Sequence, residues 1–419
     1  MKFDLTKTGG PLRTAADFLV WVIYACAIGL IVGTAGVAFH YGVDWAVQIR
    51  GAFPWLIWLL PLGGVAIIWI YRICGMEQDR GTNLVLLAVR TAEPMKLRTA
   101  PLIFLSTVLT HLLGGSAGRE GAALQLGGSM GAWIGRRIHL DEKSSRVMVM
   151  CGMSAAFSAL FGTPLTAAVF SMEVVSVGVM YYAALVPSLL ASIVSYQLAV
   201  RCGLHMGEGY LVTDVSPMNG ISMIQVAALG ALCALLSILF CQAMHKSSKL
   251  YQKLLPNSML RVAVGGALVL GLTLLVGNQT YSGAGDPVIH RMLAGETIPT
   301  AFIMKILFTA LTLGAGFRGG EIVPALFTGC AFGTLAGPML GLSHSFGGAL
   351  GMAAIFCGAT NCPLSSIFLA YELFGGSDLP LYALCCATSY MLSGYYGLYS
   401  EQKILYSKFS PYLVNRNAE

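Results

Sequence analysis

Charged residues are scarce in this sequence. They make up 11% of the 419 residues, whereas about 25% of residues are charged in a typical soluble domain. Hydrophobic residues reach 56%. This composition excludes a soluble globular protein and indicates an integral protein of the lipid bilayer. The formal charge of +6 is modest, and the basic residues lie mostly between apolar stretches. We interpret them as topology determinants and not as a nucleic-acid surface.

A metal-binding cysteine pattern is also missing. The sequence has eleven cysteines, and among them Cys385 and Cys386 alone are neighbours. The other cysteines are scattered without the spacing of a zinc site. We therefore expect no metal site and no cofactor, and we interpret the cysteines as small apolar residues within membrane helices.

Long apolar runs are abundant. The first, over residues 15–42, follows Lys2, Lys7 and Arg13 and is much longer than the core of a signal peptide. It predicts a membrane helix that begins in the cytoplasm. Further apolar segments are predicted at 53–74, 99–115, 147–160, 164–180, 181–202, 221–245, 261–276, 300–316, 324–340, 348–358, 363–374 and 379–393. Several are shorter than the roughly 20 residues needed to cross the hydrocarbon, so we predict broken and re-entrant helices.

The chain contains an internal repeat. Residues 152–173 match residues 351–372 without a gap, at a constant offset of 199 residues. Upstream, the pair Arg119 and Glu120 is echoed by Arg318 and Glu321, and a Gly-xxx-Gly pair follows each acid. Two homologous halves with broken helices are the architecture by which transporters build a substrate site at the repeat interface.

Glu120 is the most informative single residue. It lies in a glycine-rich stretch, residues 114–128, between segments apolar enough to enter a bilayer. A carboxylate inside hydrocarbon costs a few kcal/mol, so such acids usually line a wet cavity or an ion path. We predict that Glu120 gates an ion site or carries a proton.

Three loops supply candidate anion-binding groups. Each follows a glycine and leads into an apolar helix, whose N-terminal N–H groups and dipole favour an anion. The candidate residues are Gly81, Thr82, Asn83, Gly118, Arg119, Gly121, Gly320, Glu321, Ile322 and Val323. Ionised Glu120 would compete with an anion for these groups and would leave when protonated, which would couple anion movement to proton movement.

These residues carry a family resemblance. The runs 118–121 and 320–324, together with the run Gly397, Leu398, Tyr399 and Ser400, resemble the anion-pathway signatures of the CLC family of chloride channels and anion/proton antiporters. The resemblance implies an all-α polytopic membrane protein with two inverted repeats, broken and re-entrant helices, and one pore in each subunit of a homodimer. It also implies that Glu120 is the external gating glutamate and Tyr399 the inner-gate tyrosine.

The same resemblance sets the expected domain boundaries. We expect a cytoplasmic tail over residues 1–14, a first membrane repeat over 15–205 and a second over 206–398. A C-terminal inner-gate helix and tail would follow over 399–419. We expect no CBS domains, since few residues follow Tyr399. The compact chain without a targeting segment suits a bacterial inner (plasma) membrane.

Departures from the chloride-selective pattern point to the fluoride-exporting branch of this family. Thr82 and Asn83 replace the serine-containing loop, Ile322 replaces an aromatic residue, and Val174 stands where the inner proton glutamate would fall. Val323 departs from the threonine of the fluoride branch. The resemblance thus implies a fluoride/proton antiporter that exports fluoride. A chloride/proton antiporter or a passive chloride channel is the alternative.

Other interpretations of the same residues remain open. Glu120 could be a structural acid paired with Arg119 or Arg318, and Glu321 could orient its loop. Glu173 and Glu372 suggest a helix-end role more than a proton path, and Thr82 and Asn83 could cap a helix. A remote alternative is an intramembrane hydrolase with Ser116 as nucleophile and His111 as base, although their spacing on a helix suits a hydrogen bond poorly.

Overall fold

The protein is predominantly helical, as the composition predicts. The computed structural model describes residues 11–77, 79–91, 93–204, 210–376 and 378–419. In the first half the helices are α1 (Pro11–Ala52), α2 (Leu60–Ile73), α3 (Thr82–Thr91), α4 (Thr99–Leu112), α5 (Glu120–Arg137), α6 (Glu142–Phe161), α7 (Pro164–Glu173) and α8 (Leu185–Arg201). In the second half they are α9 (Gly220–Leu254), α10 (Ser258–Val276), α11 (Asp286–Leu293), α12 (Ala301–Ala315), α13 (Ile322–Met339), α14 (His344–Thr360), α15 (Pro363–Phe374) and α16 (Leu379–Leu392). Short 3₁₀ helices at Pro54–Leu59 and Tyr182–Ala184 precede α2 and α8.

Some helices can cross a bilayer and others are too short. Within the described residues, seven segments are long and apolar enough to span: Thr14–Ala52, Pro54–Ile73, Glu142–Phe161, Tyr182–Arg201, Gly220–Leu254, Ser258–Val276 and Ile322–Met339. Helices α3, α4, α12, α15 and α16 are apolar but have 10–17 residues. At about 1.5 Å per residue these are shorter than a hydrocarbon core of about 30 Å. The predicted mixture of spanning and short helices is confirmed.

Glycines allow the same close helix pair in each half. The backbone of α5 approaches that of α6 so closely that a Cβ on Gly127 would overlap the carbonyl oxygen of Gly152. In the second half, a Cβ on Gly329 would overlap the carbonyl oxygen of Gly351. Small residues at such spacing let helix backbones meet in a membrane. The repeat seen in the sequence is therefore also a repeat of helix packing.

Two repeat-related carboxylates form hydrogen bonds between the two halves. Glu173, at the end of α7, accepts hydrogen bonds from the backbone N–H groups of Leu364 and Ser365 at the start of α15 (3.1 and 2.8 Å). Glu372, near the end of α15, accepts two from the first turn of α7, both of 2.8 Å. Each acid satisfies N–H groups that a helix start leaves unpaired. The helix-end role predicted for both glutamates is confirmed.

The C-terminal segment is not a helix. Strands β1 (Ser176–Val177), β2 (Lys403–Tyr406) and β3 (Leu413–Asn417) form a small sheet in that order, with β1 parallel to β2 and β2 antiparallel to β3. The predicted inner-gate helix over 399–419 is therefore wrong. The Gln402 side chain donates to the carbonyls of Val174 and Thr360, which draws the segment into extended pairing beside α7. Pro411 lacks an N–H group and disfavours a helix interior.

Parts of the predicted domain division lie outside the described residues. Of the tail over 1–14, residues 1–10 are not described, and residues 11–14 already belong to α1. The predicted boundary between the repeats, at residues 205 and 206, also falls outside the described ranges. The division into four segments stays a prediction, except for the inner-gate helix corrected above.

Candidate functional site

The repeat-related loops meet face to face at the start of α5 and α13. Gly118 N–H donates to the Gly320 carbonyl and Gly320 N–H donates to the Gly118 carbonyl, both at 2.7 Å. The approach needs glycine, because a Cβ on Gly320 would lie 2.5 Å from the backbone nitrogen of Gly121. We call residues 118–121 and 320–323 the junction. It brings the N-termini of two helices and two acids, Glu120 and Glu321, into one place.

Glu120 is buried in the junction. It begins α5, and 2% of its surface is exposed. Its Oε2 accepts a hydrogen bond from the Arg119 backbone N–H at 2.9 Å, and its Oε1 lies 3.8 Å from Arg119 Nε. Of the two arginines considered as partners, Arg119 therefore contacts Glu120, whereas Arg318 pairs with Asp79 at 3.6 Å. An acid in the first turn of a helix is also favoured by the helix dipole.

One face of the junction opens to a cavity of about 300 Å³, the outer cavity. Its polar lining comes from α1, α5, α11, α15 and the loop before α9: His40, Asp44, Arg119, Glu120, Tyr210, Asp286, His290 and Glu372. Val323 also lines it. Asp44 lies 3.5 Å from Arg119 and 3.3 Å from His40. Arg119 thus stands between two carboxylates, those of Asp44 and Glu120.

The other face of the junction opens to a larger cavity of about 680 Å³, the inner cavity. Gly81, Thr82, Asn83, Glu321 and Tyr399 line it together. The Tyr399 hydroxyl and Glu321 Oε2 are buried, and neither has a hydrogen-bond partner among the described residues. Because buried polar atoms are normally paired, these atoms are free to bind water, an anion or a proton.

The predicted donors Thr82 and Asn83 bond to other elements of the protein. Thr82 follows Gly81, whose φ is +61°, and its hydroxyl donates to the Gly121 carbonyl at 3.3 Å. Asn83 Oδ1 accepts from the Glu401 backbone N–H at 3.1 Å. These bonds tie the start of α3 to the junction and to the segment that carries Tyr399. Both side chains therefore form cross-links between elements, and the capping interpretation stays a prediction.

The predicted residues thus divide between the two cavities. Arg119, Glu120 and Val323 line the outer cavity, and the loop 81–83, Glu321 and Tyr399 line the inner one. Gly118, Gly121, Gly320 and Ile322 belong to the junction between them. Ile322 has no exposed surface, so its side chain is a packing element.

Sequence reasoning missed several polar residues of the site. Gln125 donates to both Thr82 Oγ1 (3.3 Å) and the Gly121 carbonyl (3.2 Å). Its position four residues after Gly121, on the same helix face, is a signal that could have found it. Asp44 and Asp286 carry no such signal, because they lie on distant helices and meet the site only in the fold.

The hydrolase alternative has no geometric support. Ser116 Oγ lies 3.0 Å from Thr309 Oγ1, and His111 Nδ1 lies 2.8 Å from the Thr107 carbonyl. Serine and histidine are therefore engaged with different partners. No group of three or more His, Cys, Asp or Glu side chains suited to a metal ion occurs within the described residues, and all eleven cysteines are free.

Comparison with known proteins agrees with this architecture. A sequence profile of the family described as "Voltage gated chloride channel" matches residues 62–394. A protein of Pseudomonas syringae pv. tomato named "Chloride/fluoride channel protein" is 36% identical over 397 residues, which cover 93% of this chain and 87% of the relative. An H⁺/Cl⁻ exchange transporter of Yersinia pestis is 24% identical, over 88% of this chain and 83% of the relative.

Solved structures share the fold. A CLC-type fluoride/proton antiporter superposes with a TM-score of 0.89 at 29% identity, over 95% of this chain and 100% of the other. A slow cyanobacterial Cl⁻/H⁺ antiporter gives 0.75 at 17% identity, over 89% and 94%, and supports the fold alone. The predicted all-α CLC-type fold of inverted repeats is confirmed. The chain belongs to the CLC family of voltage-gated chloride channels, whose members are transporters or channels and not enzymes.

Proposed function

We propose that this multi-pass membrane protein is a fluoride/proton antiporter that exports fluoride from the cytoplasm, with Glu120 as its gate and proton carrier. The observation that carries the proposal is the place of the Glu120 carboxylate. It is buried in the junction and lines the outer cavity, while Gln125, five residues further along α5, lines the inner cavity. A side chain at this point can separate the two cavities or join them.

The coupling follows from charge competition. Ionised Glu120 occupies the N-terminal end of α5 as a tethered anion and keeps fluoride out. Protonation from the outer cavity removes its charge, so fluoride can take the place near the N–H groups of α5 and α13. Each exchange moves a proton inward and a fluoride ion outward, and the inward proton gradient drives export.

Glu321 is the acid best placed to receive the proton on the inner side. Val174, at the position of an inner glutamate, is fully buried, and its carbonyl is occupied by Gln402. The other acids of the inner cavity have basic partners: Glu77 with Arg72, Asp79 with Arg318 and Glu401 with Arg90. Glu321 has none among the described residues, and its Oε2 makes no hydrogen bond there.

Two observations support fluoride over chloride as the transported anion. Fluoride is named in the description of a relative at 36% identity and of a solved structure at 29% identity. Fluoride is also small and tightly hydrated, so its desolvation needs compact donors such as the Asn83 amide, the Tyr399 hydroxyl and backbone N–H groups. A chloride/proton antiporter and a passive chloride channel are the alternatives that the test must separate.

The test is anion efflux from liposomes that contain the purified protein. Vesicles loaded with fluoride or with chloride are diluted into anion-free buffer, and anion and pH are recorded together. We expect fluoride efflux with stoichiometric proton uptake and much slower chloride efflux. Chloride efflux as fast as fluoride efflux would reject the selectivity, and fluoride efflux without proton movement would reject antiport.

The variant Glu120→Gln tests the role of the carboxylate. Glutamine keeps the size of the side chain but cannot exchange a proton, so proton movement should fall to the level of empty liposomes. The matched control is Glu296→Gln, an acid of similar chemistry on the surface that pairs with Arg291. Coupling that survives in Glu120→Gln would remove this residue from the mechanism.

We further propose that the protein works as a homodimer in a bacterial inner membrane. The support is the family fold and the bacterial source of its relatives. Chemical cross-linking in native membranes should give a band at twice the monomer mass. A monomer alone, under conditions that cross-link a known dimer, would contradict this assembly.

A further inference from the structure

We infer that Arg261 and Arg318 form a second anion-binding site in the inner cavity, which collects the anion before it reaches the junction. The inference deepens the proposed function and rests on it. The ligand class is a small inorganic monovalent anion, and the site has no feature that selects fluoride over chloride. It would act as a docking site on the cytoplasmic side.

Arg318 has unused hydrogen-bonding capacity. Its guanidinium lies over the Tyr71 ring, 4.4 Å from the ring centre, and Nη1 lies 3.6 Å from Asp79 Oδ2. Its Nε has no hydrogen-bond partner among the described residues, and 19% of the side chain is exposed. A guanidinium has five N–H donors. The Arg318 guanidinium is held in place by stacking on Tyr71 and by one long ion pair, and most of its N–H donors remain free.

Arg261 reaches the same place from a different helix. It lies in the first turn of α10, and its Nε donates to the Ala315 carbonyl at the end of α12, at 3.3 Å. Ala315 precedes Arg318 by three residues, and both arginines line the inner cavity. Within the described part of the chain Arg261 has no salt bridge. Two cations on one cavity repel each other, so an anion between them is stabilised by both.

Two acids of the inner cavity, Asp79 and Glu321, stand against this arginine pair, and the other charged residues of the lining have partners outside it. Glu77 and Glu401 contact arginines outside the cavity lining, and Arg80 lies 4.0 Å from Glu93. Asp79 is the one acid paired with Arg318. Its carboxylate has no exposed surface and accepts no hydrogen bond among the described residues, so it orients the guanidinium and offsets part of its charge.

The position of the pair fits a waiting site on the way to the junction. The inner cavity runs from Ser258 and Arg261 to Thr82, Tyr399 and Glu321. Its volume of about 680 Å³ accommodates a hydrated ion, since each water takes about 30 Å³. Arg261, which has no salt bridge among the described residues, supplies positive charge that attracts an arriving anion. The outer cavity differs, because its Arg119 is held by two carboxylates.

The test is anion uptake into everted membrane vesicles, whose cytoplasmic face is outside. The variants are Arg261→Gln and Arg318→Gln, and the control is Arg80→Gln, an arginine of the same cavity that pairs with Glu93 outside the lining. We expect the KM for the anion to rise about tenfold in each variant, as loss of one charged contact implies. The maximal rate and the proton-to-anion ratio should be retained, and Arg80→Gln should change KM little. The rise should shrink at high ionic strength.

The outcomes separate this inference from the proposed function. If the wild-type protein moves chloride and no fluoride, the proposed function fails, and the same variants are measured with chloride. If the wild type transports and both variants keep its KM, the docking site is rejected. Arg318→Lys keeps the charge, so it should recover most of the affinity. If the Arg318→Gln protein does not reach the membrane, the KM of Arg261→Gln tests the docking site.

Discussion

At the scale of single residues, the environment of Glu120 sets how readily it can be protonated. Arg119 favours the ionised form, and Asp44 draws the same guanidinium away at 3.5 Å. His40, Tyr210, Asp286, His290 and Glu372 complete the ionisable lining of the outer cavity. Glu372 is engaged with the first turn of α7, and the Tyr210 hydroxyl donates to Asp286 at 3.4 Å. Asp44 is therefore the acid that can weaken the interaction of Arg119 with Glu120.

The variant Asp44→Asn should shift the pH dependence of transport. Without Asp44, Arg119 keeps Glu120 as its carboxylate partner and stabilises the ionised form of Glu120 more strongly. Protonation of Glu120 then requires a more acidic solution. We expect the pH for half-maximal proton-coupled fluoride efflux to fall by about one unit. Efflux from liposomes at a series of external pH values measures it.

A double variant shows whether the effect passes through Arg119. In an Arg119→Gln background, Asp44→Asn should cause a much smaller shift, since contacting residues are not additive. An equal shift in both backgrounds would mean that Asp44 acts on Glu120 directly. Glu296→Gln, at a surface acid that pairs with Arg291 away from the outer cavity, is the control and should cause no shift.

At the scale of helices, sequence patterns predicted most elements and missed those with mixed composition. Helix α15 has the predicted bounds because Pro363 starts it and Gly375 follows its end. Helix α5 is absent from the apolar segments because glycines and Gln125 dilute its hydropathy, although Glu120 was expected to begin a helix. The strands β2 and β3 were predicted as a helix, since their pairing with residues near Val174 depends on contacts more than 200 positions away.

The close pairing of α5 with α6 predicts a large cost for a single added methyl group. Gly152→Ala would push a Cβ into the carbonyl of Gly127, and overpacking of this kind typically costs about 1–3 kcal/mol. Gly271→Ala, in α10, is the matched control because its Cβ would meet open space. Thermal unfolding in detergent should show a clear loss for Gly152→Ala and little change for Gly271→Ala. Equal stability of the two variants would contradict the packing described here.

The start of α6 predicts a pH-dependent contribution to stability. Asp141 Oδ2 accepts from the backbone N–H groups of Lys143 and Ser144. Hydrogen bonds from the Ser144 side chain and from these N–H groups hold the pKa of Asp141 below its usual value. Because the folded pKa is lowered, the contribution is present above the unfolded pKa and is lost as pH falls through the folded one.

Two substitutions separate the charge of Asp141 from its capping role. Asp141→Ala should cost about 1 kcal/mol at neutral pH and less in acid. Asp141→Asn keeps a hydrogen-bond acceptor and cannot titrate. The contribution of this cap to the free energy of unfolding should then be independent of pH. Unfolding curves at neutral and acidic pH measure both, and an alanine variant with the same loss at every pH would contradict the titration.

At the scale of the whole molecule, the repeat makes each half depend on the other. The junction joins Gly118 to Gly320, and Glu173 and Glu372 cross between the halves in opposite directions. The sequence predicted that the halves meet, because the repeat and the two acids are visible in it. It did not predict the two cavities, since their walls combine α1, α10 and α11 with residues that no local pattern links.

The crossing carboxylates are expected to serve stability and not proton transfer. Glu173→Ala leaves the buried N–H groups of Leu364 and Ser365 unpaired, so we expect a loss of about 3 kcal/mol. The proton-to-fluoride ratio should be unchanged. Glu142→Ala, an exposed acid on α6 paired with Arg146, is the control with little loss expected. A stable Glu173→Ala protein with altered coupling would instead place Glu173 on the proton path.

The bond from Glu401 to Asn83 has a consequence for biosynthesis. It joins residues more than 300 positions apart, and Gln402 closes against Val174 and Thr360 in the same segment. A nascent chain can therefore insert both repeats and form the contact between Gly118 and Gly320 before Tyr399 has been translated. During that interval the inner cavity lacks the Tyr399 side chain. On the proposed function, we therefore expect the protein to become competent for transport late in synthesis, when this segment docks.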